Sequence, residues 1–171
     1  TEVVIRAEDS TCDIELKIEQ ATILGTCQSA LTHLPYLSEE WKKNSEEERL
    51  LGVSLTGIWD NSITYGKISM GQLRQRLKRW RQLTHEVNSD WANRIGINPS
   101  VAITTVKPSG TVSCLVDSAS GIHPRYAKHY IRRVRMDAKD PLCRLMADQG
   151  VPHEPCALNP DSTIIFSFPI G

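Results

Sequence analysis

Short apolar runs alternate along the chain with longer segments in which apolar residues recur every three or four positions. The run Val3-Val4-Ile5 is typical of a short buried strand, and the segment 10–35 predicts a helix that is apolar on most of its surface and is ended by its proline. A second, polar helix is predicted from Ser38 to about Leu50, with Trp41 as its apolar anchor. Small and apolar residues alternate over 51–58, which predicts a buried strand.

The longest predicted helix runs from about Ser69 to Ile95 and has one apolar face with a helical period. This face consists of Leu73, Leu77, Trp80, Leu83, Val87, Trp91 and Ile95. Downstream, β-type runs at 101–106, 130–136 and 163–168 predict three more strands, and a short helix is predicted from Asp140 to Gln149. Because strands alternate with helices, the pattern predicts an α/β fold with largely parallel strands.

The strand predicted at 101–106 leads into a loop whose residue types suit an anion site. The loop consists of Pro108, Ser109, Gly110, Thr111, Val112 and Ser113. Lys107 places a positive charge in front of it. Small hydroxyl residues at a helix start present backbone N–H groups, hydroxyls and the positive end of the helix dipole to one point, which favours phosphate. The same residues also suit an ordinary turn followed by a helix cap, so both interpretations stay open on spacing alone.

Two further groups of residues are candidates for chemistry. His123 and Arg125 lie in a long loop of small residues, where they could contact a substrate or cofactor or could only brace the loop. The longest helix carries a dense basic patch, made of Arg74, Arg76, Lys78, Arg79 and Arg81. Trp80 lies within this patch, so stacking on a nucleic-acid base and packing in the core are competing interpretations for its ring.

Composition limits the classes of function. The 171 residues include 20 basic and 20 acidic side chains, so no overall field attracts the chain to nucleic acid or to an acidic membrane surface. The sequence has no apolar run of the roughly 20 residues that span a bilayer, and we expect a cytoplasmic protein. The five cysteines are an odd number without a Cys-x-x-Cys pair, which favours reduced thiols over a disulfide framework or a zinc site.

Several long motifs occur in the order found in one enzyme family. Residues 102–113, 120–126 and 130–135 closely resemble the adenosylcobalamin-dependent ribonucleotide reductases, most of all the monomeric branch that reduces ribonucleoside triphosphates. Residues 1–6 and 46–58 also resemble that family, so the resemblance spans essentially the whole chain.

This resemblance implies a fold, a cofactor and a chemistry. It implies that residues 1–171 are one segment of a ten-stranded α/β barrel, truncated at both ends, in which the loop from Pro108 to Ser113 holds the substrate phosphates. In the family, adenosylcobalamin generates a thiyl radical, a cysteine pair reduces the ribose, and a thioredoxin-type protein restores the pair. A deoxynucleotide effector would bind outside this segment, and we expect no membrane or nucleic-acid partner.

The resemblance assigns no catalytic residue to this chain. The finger-loop motif Asn-Pro-Cys-Gly-Glu and the carboxy-terminal cysteine pair of the family are absent from the sequence, and no metal ligand is predicted. We therefore expect the segment alone to be inactive in nucleotide reduction. The alternative function is a stand-alone nucleotide- or nucleic-acid-binding module that uses the same loop and the basic helix without catalysis.

Overall fold

The computed structural model describes residues 1–65, 68–110 and 112–171. They form two compact units, residues 1–125 and 126–171. The elements of the first unit are β1 (Glu2–Val4), α1 (Thr11–Ser29), α2 (Glu39–Glu48), β2 (Ser54–Thr56), a 3₁₀ turn (Ile58–Asp60), α3 (Met70–Ile95) and α4 (Val112–Leu115). Those of the second unit are β3 (Tyr130–Asp137), α5 (Pro141–Asp148), β4 (His153–Pro155) and β5 (Thr163–Ile170).

Parallel extended segments form the centre of the first unit. Strand β1 pairs with β2 in parallel register, with Val3 opposite Leu55. On the other side, Val53 forms a parallel bridge with Thr104, and the Val53 N–H donates to the carbonyl of Ile103 at 2.8 Å. The strand predicted at 101–106 is reduced to an isolated bridge at Thr104.

Helices α1 and α3 pack against one face of these strands. Each helix begins with a capping box: the Ser10 side chain accepts from the Asp13 N–H, and the Ser69 side chain accepts from the Gln72 N–H. Apolar side chains from the strands and the two helices form one buried core. The core consists of Val3, Ile5, Ile14, Ile18, Ala21, Val53, Trp80 and Ile103.

The buried face of α3 differs from the predicted leucine face. Its buried residues are Trp80, Thr84, Asn88 and Ala92. Asn88 lies in this face because its side-chain amide donates to Thr26 Oγ1 at 2.9 Å and to Ser100 Oγ at 3.0 Å, and its Oδ1 accepts from the Ser100 N–H at 2.8 Å. A polar network between the helices thus replaces part of the apolar packing that periodicity predicted.

Two predictions about the first helices were wrong. Helix α1 ends at Ser29, well before Pro35, where the Ala30 N–H bonds back to the carbonyls of Cys27 and Gln28. Trp41 is 62% exposed and does not anchor α2, which has no buried residue. The polar helix therefore forms without the apolar contact that the sequence predicted for it.

The second unit is an antiparallel sheet in the order β3-β5-β4. Val134 of β3 and His153 of β4 both pair with Phe166 of the central strand β5, and Phe166 is fully buried. The predicted parallel organisation is wrong here. Strand β4 was not predicted, since it has only three exposed residues and ends in a proline. Helix α5 begins as predicted, with Asp140 accepting from the Leu142 N–H and Pro141 in the first turn.

Candidate functional site

The predicted anion loop connects the edge of the parallel segments to helix α4. Ser109 and Ser113 are 4% and 2% exposed, whereas Pro108, Gly110 and Val112 are exposed. Thr111 lies outside the described residues. The Ser113 N–H donates to the carbonyl of Ser109 at 2.8 Å, and the Ser113 hydroxyl donates to the carbonyl of Gly110 at 3.2 Å. The loop is therefore closed internally, with two buried serines and an exposed outer surface.

Thr56, the last residue of β2, is the residue that anchors this loop. Its Oγ1 donates to the carbonyl of Ala119 at 3.0 Å and accepts from the Gly121 N–H at 2.8 Å. The Ser109 Oγ lies 2.8 Å from the same atom, and because the only proton of Thr56 is already donated, the Ser109 hydroxyl donates to it. One buried hydroxyl thus joins a strand end, the candidate loop and the segment that follows α4.

Two glycines allow the main chain to pack closely around this hydroxyl. Gly121 has a φ of +53°, and a Cβ there would lie 2.9 Å from the carbonyl oxygen of Lys107 and 3.3 Å from Ser109 Oγ. Gly57 has a φ of +76°, and a Cβ there would lie 2.3 Å from the carbonyl oxygen of Ile5. Any side chain at either position would be strained by its backbone and would collide with a neighbouring main chain.

Arg125 holds the segment after α4 in place by hydrogen bonds to two carboxylates. Its Nε donates to Asp60 Oδ1 at 3.0 Å, and its Nη1 donates to Asp117 Oδ1 at 2.9 Å. The hydrogen bond to Asp60 raises the pKa of Arg125 above its ordinary value, with a smaller contribution from Asp117 and against partial burial, which lowers it. Asp60 Oδ2 also accepts from the Ala119 N–H at 2.7 Å. Arg125 therefore braces the loop in this structure.

His123 and Lys107 take different positions around the loop. His123 is exposed; its main-chain N–H donates to the carbonyl of Ser120 at 2.8 Å, and its ring makes no hydrogen bond with the residues that the structure describes. The Lys107 ammonium group donates to the carbonyl of Thr1 at 2.9 Å, which directs its charge along the strands. Of Lys107, His123 and Arg125, His123 is the one whose side chain has no hydrogen-bond partner among the described residues.

Sequence reasoning missed Thr56 and Asp60 as supports of the loop. Thr56 was part of a predicted buried strand, and Asp60 was assigned to a turn, although both are polar residues at the end of an apolar strand. A hydroxyl in that position indicates a buried hydrogen bond, because an unpaired polar group there would be costly. Its partners lie more than 50 residues away in the sequence, so no local pattern identifies them.

The thiols and Trp80 of the basic helix are the remaining residues that the sequence singled out. All five cysteines are free, and within the described ranges no three His, Cys, Asp or Glu residues come together to hold a metal ion. Hydrogen bonds from the backbone of Asn159 and Leu158 lower the pKa of Cys156. Trp80 is only 3% exposed, so its ring packs in the core and is not available for stacking on a base. No helix in the described part of the chain could cross a membrane.

Comparisons with known proteins find relatives along most of the chain, although no family model matches it. An adenosylcobalamin-dependent ribonucleoside-triphosphate reductase of Euglena gracilis is 30% identical over 152 residues, which cover 85% of this chain and 20% of the relative. The protein of the same name from Lactobacillus leichmannii is 29% identical over an alignment that covers 96% of this chain and 25% of the relative. That of Levilactobacillus brevis is 28% identical over 90% of this chain and 24% of the relative.

The fold also matches part of a solved structure. A B-12-dependent (class II) ribonucleotide reductase superposes with a TM-score of 0.69 at 22% identity, covering 93% of this chain and 26% of that chain. The resemblance predicted from the sequence is therefore confirmed over most of the chain. The chain spans about a fifth to a quarter of the length of the curated relatives that it matches.

Proposed function

We propose that this chain, whose curated relatives over most of its length are adenosylcobalamin-dependent ribonucleoside-triphosphate reductases, supplies part of the barrel and the substrate-phosphate loop of such a reductase. Both compact units belong, on this proposal, to one segment of a ten-stranded α/β barrel. The complete enzyme would reduce ribonucleoside triphosphates to deoxyribonucleoside triphosphates by a thiyl-radical mechanism. A thioredoxin-type reductant and a deoxynucleotide effector would act through parts of the enzyme outside this segment.

The observation that carries the loop assignment is its construction around Thr56. The Ser109 and Ser113 hydroxyls are buried and already donated to Thr56 Oγ1 and to the carbonyl of Gly110, while Gly110 and Val112 are exposed. A substrate phosphate would bind on the exposed outer surface of the loop, which these two hydroxyls hold in place before the ligand arrives. Preorganisation of this kind lowers the entropy lost on binding.

Adenosylcobalamin would supply the initiating radical of the complete enzyme when bound. The cysteines of this chain are free thiols, and Cys114, which lies next to the loop, directs its Sγ to the carbonyl of Gly110 at 2.8 Å. On this proposal the chain binds and orients the triphosphate, with His123 as an exposed group at the edge of the loop.

Kinetics of the full protein test this proposal. Reductase activity is measured with a ribonucleoside triphosphate, adenosylcobalamin and a dithiol, for the wild type and for a Ser109→Ala/Thr111→Ala/Ser113→Ala variant. We expect KM to rise about tenfold or more with a smaller change in kcat, since the loop that orients the phosphates loses the hydroxyls that hold it in place. Leu115→Ala is the control, because Leu115 lies outside the loop, is 86% exposed and carries no hydroxyl, and KM should not change.

Two results would contradict parts of the proposal. If the triple variant keeps the wild-type KM, the loop is not the phosphate site, even if the protein is a reductase. If the wild type shows no cobalamin-dependent turnover but still binds the triphosphate, the chain is a nucleotide-binding module without catalysis.

A further inference from the structure

Arg6 lies at the edge of the first unit where the parallel segments end. It follows β1 directly after Ile5, whose N–H donates to the carbonyl of Thr56 at the end of β2, at 2.9 Å. The candidate loop follows the third parallel segment, which bridges to Val53 on the other side of β2. Ligands of α/β folds bind outside the carboxyl ends of parallel strands. Arg6 and the loop therefore follow strand ends at the edge where a ligand is expected.

The guanidinium group of Arg6 has no carboxylate partner. Its Nη1 donates to the main-chain carbonyl of Asp117 at 2.9 Å, in a contact that lies at the surface of the protein. Within residues 1–65, 68–110 and 112–171, the guanidinium makes no other hydrogen bond and no ion pair. Because a guanidinium carries several N–H donors, most of those of Arg6 remain available to an anion.

The guanidinium group of Arg125 lies beside that of Arg6. Its Nη2 donates to the same Asp117 carbonyl at 3.0 Å, so the two guanidinium groups share one acceptor atom, and this contact too is exposed. Two positive charges at this separation repel each other unless anions balance both of them. Asp60 balances one, since its ion pair is with Arg125. The two guanidinium groups together therefore favour a further anion.

The carboxylate of Asp117 is the second anion at this position, and it is held loosely. Its Oδ1 accepts a hydrogen bond from Arg125 Nη1 at 2.9 Å, and the side chain is 66% exposed. Asp60, in contrast, is 18% exposed and also accepts from the Ala119 N–H at 2.7 Å. An exposed ion pair contributes little to stability. An anion of higher charge can therefore displace the Asp117 carboxylate while Asp60 stays in place.

A short series of hydrogen bonds connects Arg125 to the candidate loop. Arg125 donates to Asp60, and Asp60 accepts from the Ala119 N–H. The Ala119 carbonyl accepts from Thr56 Oγ1, which in turn accepts from the Ser109 hydroxyl at 2.8 Å. The same strand end thus fixes both the loop and the guanidinium groups.

We propose that Arg6 and Arg125 form a second phosphate subsite, which the Asp117 carboxylate fills until the ligand binds. This inference rests on the proposed function, because it assigns the part of the triphosphate that extends beyond the loop. The terminal phosphate takes the place of the carboxylate and accepts hydrogen bonds from Arg6 and from Arg125 Nη1. Guanidinium groups suit this role, because their planar N–H donors match the oxygens of a phosphate. A diphosphate lacks the group that reaches the subsite.

Binding of a ribonucleoside triphosphate and of the matching diphosphate to the full protein, measured by calorimetry at low salt, tests the subsite. We expect Arg6→Gln to weaken triphosphate binding about fivefold or more, because a charged contact to phosphate is lost. Diphosphate binding should change less than about twofold. Arg6→Lys keeps the positive charge without the planar donors and should recover part of the triphosphate affinity.

Asp117→Asn should change triphosphate binding in the opposite direction. The amide removes the competing charge, and Asn tolerates the φ of +45° that Asp117 adopts, so the backbone keeps its conformation. We expect triphosphate binding to tighten about threefold, whereas a purely structural role of this carboxylate predicts weaker binding. Glu8→Gln is the matched control, because Glu8 is exposed, lies close to Arg6 in the sequence and forms no ion pair with the described residues. It should leave both affinities unchanged.

The proposal is overturned if Arg6→Gln weakens the binding of both nucleotides equally, since Arg6 would then act only through the loop, or if it changes neither. It is also overturned if Asp117→Asn fails to tighten triphosphate binding, or if Glu8→Gln tightens it as much. If Arg6→Gln does not fold, as judged by circular dichroism, Arg6→Lys and Asp117→Asn give the same test.

Failure of the loop assignment gives a different result. In that case the Ser109→Ala/Thr111→Ala/Ser113→Ala variant binds the diphosphate and the triphosphate as the wild type does. A subsite without function instead leaves that variant impaired for both nucleotides, while Arg6→Gln shows no preference between them.

Discussion

The two compact units are stabilised by different kinds of interior. In the first unit, buried polar side chains with long-range hydrogen bonds join distant segments, as Thr56 does for Ser109 and as Asn88 does for Thr26. In the second unit, the buried side chains among the described residues are Cys143, Cys156, Ile165 and Phe166, and the strands are held by backbone pairing. The first unit should therefore be sensitive to the loss of a single hydroxyl, and the second to the loss of volume.

Among the variants that compare the two units, Gly57→Ala is expected to lower the free energy of unfolding most. The new Cβ would lie 2.3 Å from a main-chain oxygen, at a φ of +76°, so the strand end cannot keep its position. We expect the free energy of unfolding of the first unit to fall by more than about 4 kcal/mol, measured by urea denaturation. Gly110→Ala is the control, because no atom lies within 4 Å of its added Cβ, and it should cost less than about 1 kcal/mol.

Phe166→Ala should have the next largest effect, in the second unit. Phe166 is fully buried in the central strand, so its removal leaves a cavity and should cost about 3–5 kcal/mol in the free energy of unfolding. Ile131→Ala on the neighbouring strand removes a side chain that is 67% exposed and should cost far less. Equal losses from the two variants would show that volume is not what stabilises this unit.

Thr56→Val preserves the volume of the side chain and removes only its hydroxyl. Ser109 Oγ and the Gly121 N–H would lose this partner, while the Ala119 carbonyl would keep its hydrogen bond from the Gly57 N–H at 2.8 Å. We expect a loss of about 2–3 kcal/mol in urea denaturation and a raised KM for the triphosphate. Thr56→Ser keeps the oxygen and should retain most of the stability; a stable Thr56→Val protein would refute the role of this hydroxyl.

Asp60→Asn should produce a smaller change at the partly exposed ion pair. The amide keeps one of the two acceptor oxygens, which take hydrogen bonds from Arg125 and Ala119, and no longer balances the charge of Arg125, whose Nε lies 3.0 Å from Asp60 Oδ1. We expect about 1 kcal/mol of destabilisation at low salt and less at high salt, because salt screens the attraction between opposite charges that only the wild type has. A loss that is independent of salt would assign the effect to altered hydrogen-bond geometry.

Arg133→Gln should have the smallest effect. Arg133 pairs with Glu154 across the antiparallel sheet, but both side chains are about half exposed. Exposed pairs contribute roughly 0–1 kcal/mol, so the melting temperature should hardly change. Glu154→Gln should change the melting temperature equally little. A large fall in melting temperature for either variant would mean that the stability of the second unit depends on this ion pair.

The sequence predicted more of the helices than of the strands. Helices α3 and α5 begin where Ser69 and Asp140 predict them, because a cap is a local interaction with an N–H group two or three residues away. The direction of strand pairing was wrong in the second unit, since pairing depends on which edges meet in space. Arg125 was predicted either to contact a substrate or cofactor or to brace the loop; the structure shows it hydrogen-bonded to Asp60 and Asp117, and a ligand contact stays a prediction.

The sequence by itself determined the position of the candidate loop and the resemblance to the reductases, because both depend on continuous runs of residues. Only the tertiary structure decided what supports the loop: the hydrogen bonds of Thr56 span 53 residues to Ser109 and 63 to Ala119. It also decided that the indole of Trp80 is buried with its N–H unused. Contacts between distant segments depend on how the helices and strands pack, and no local pattern of residues contains that information.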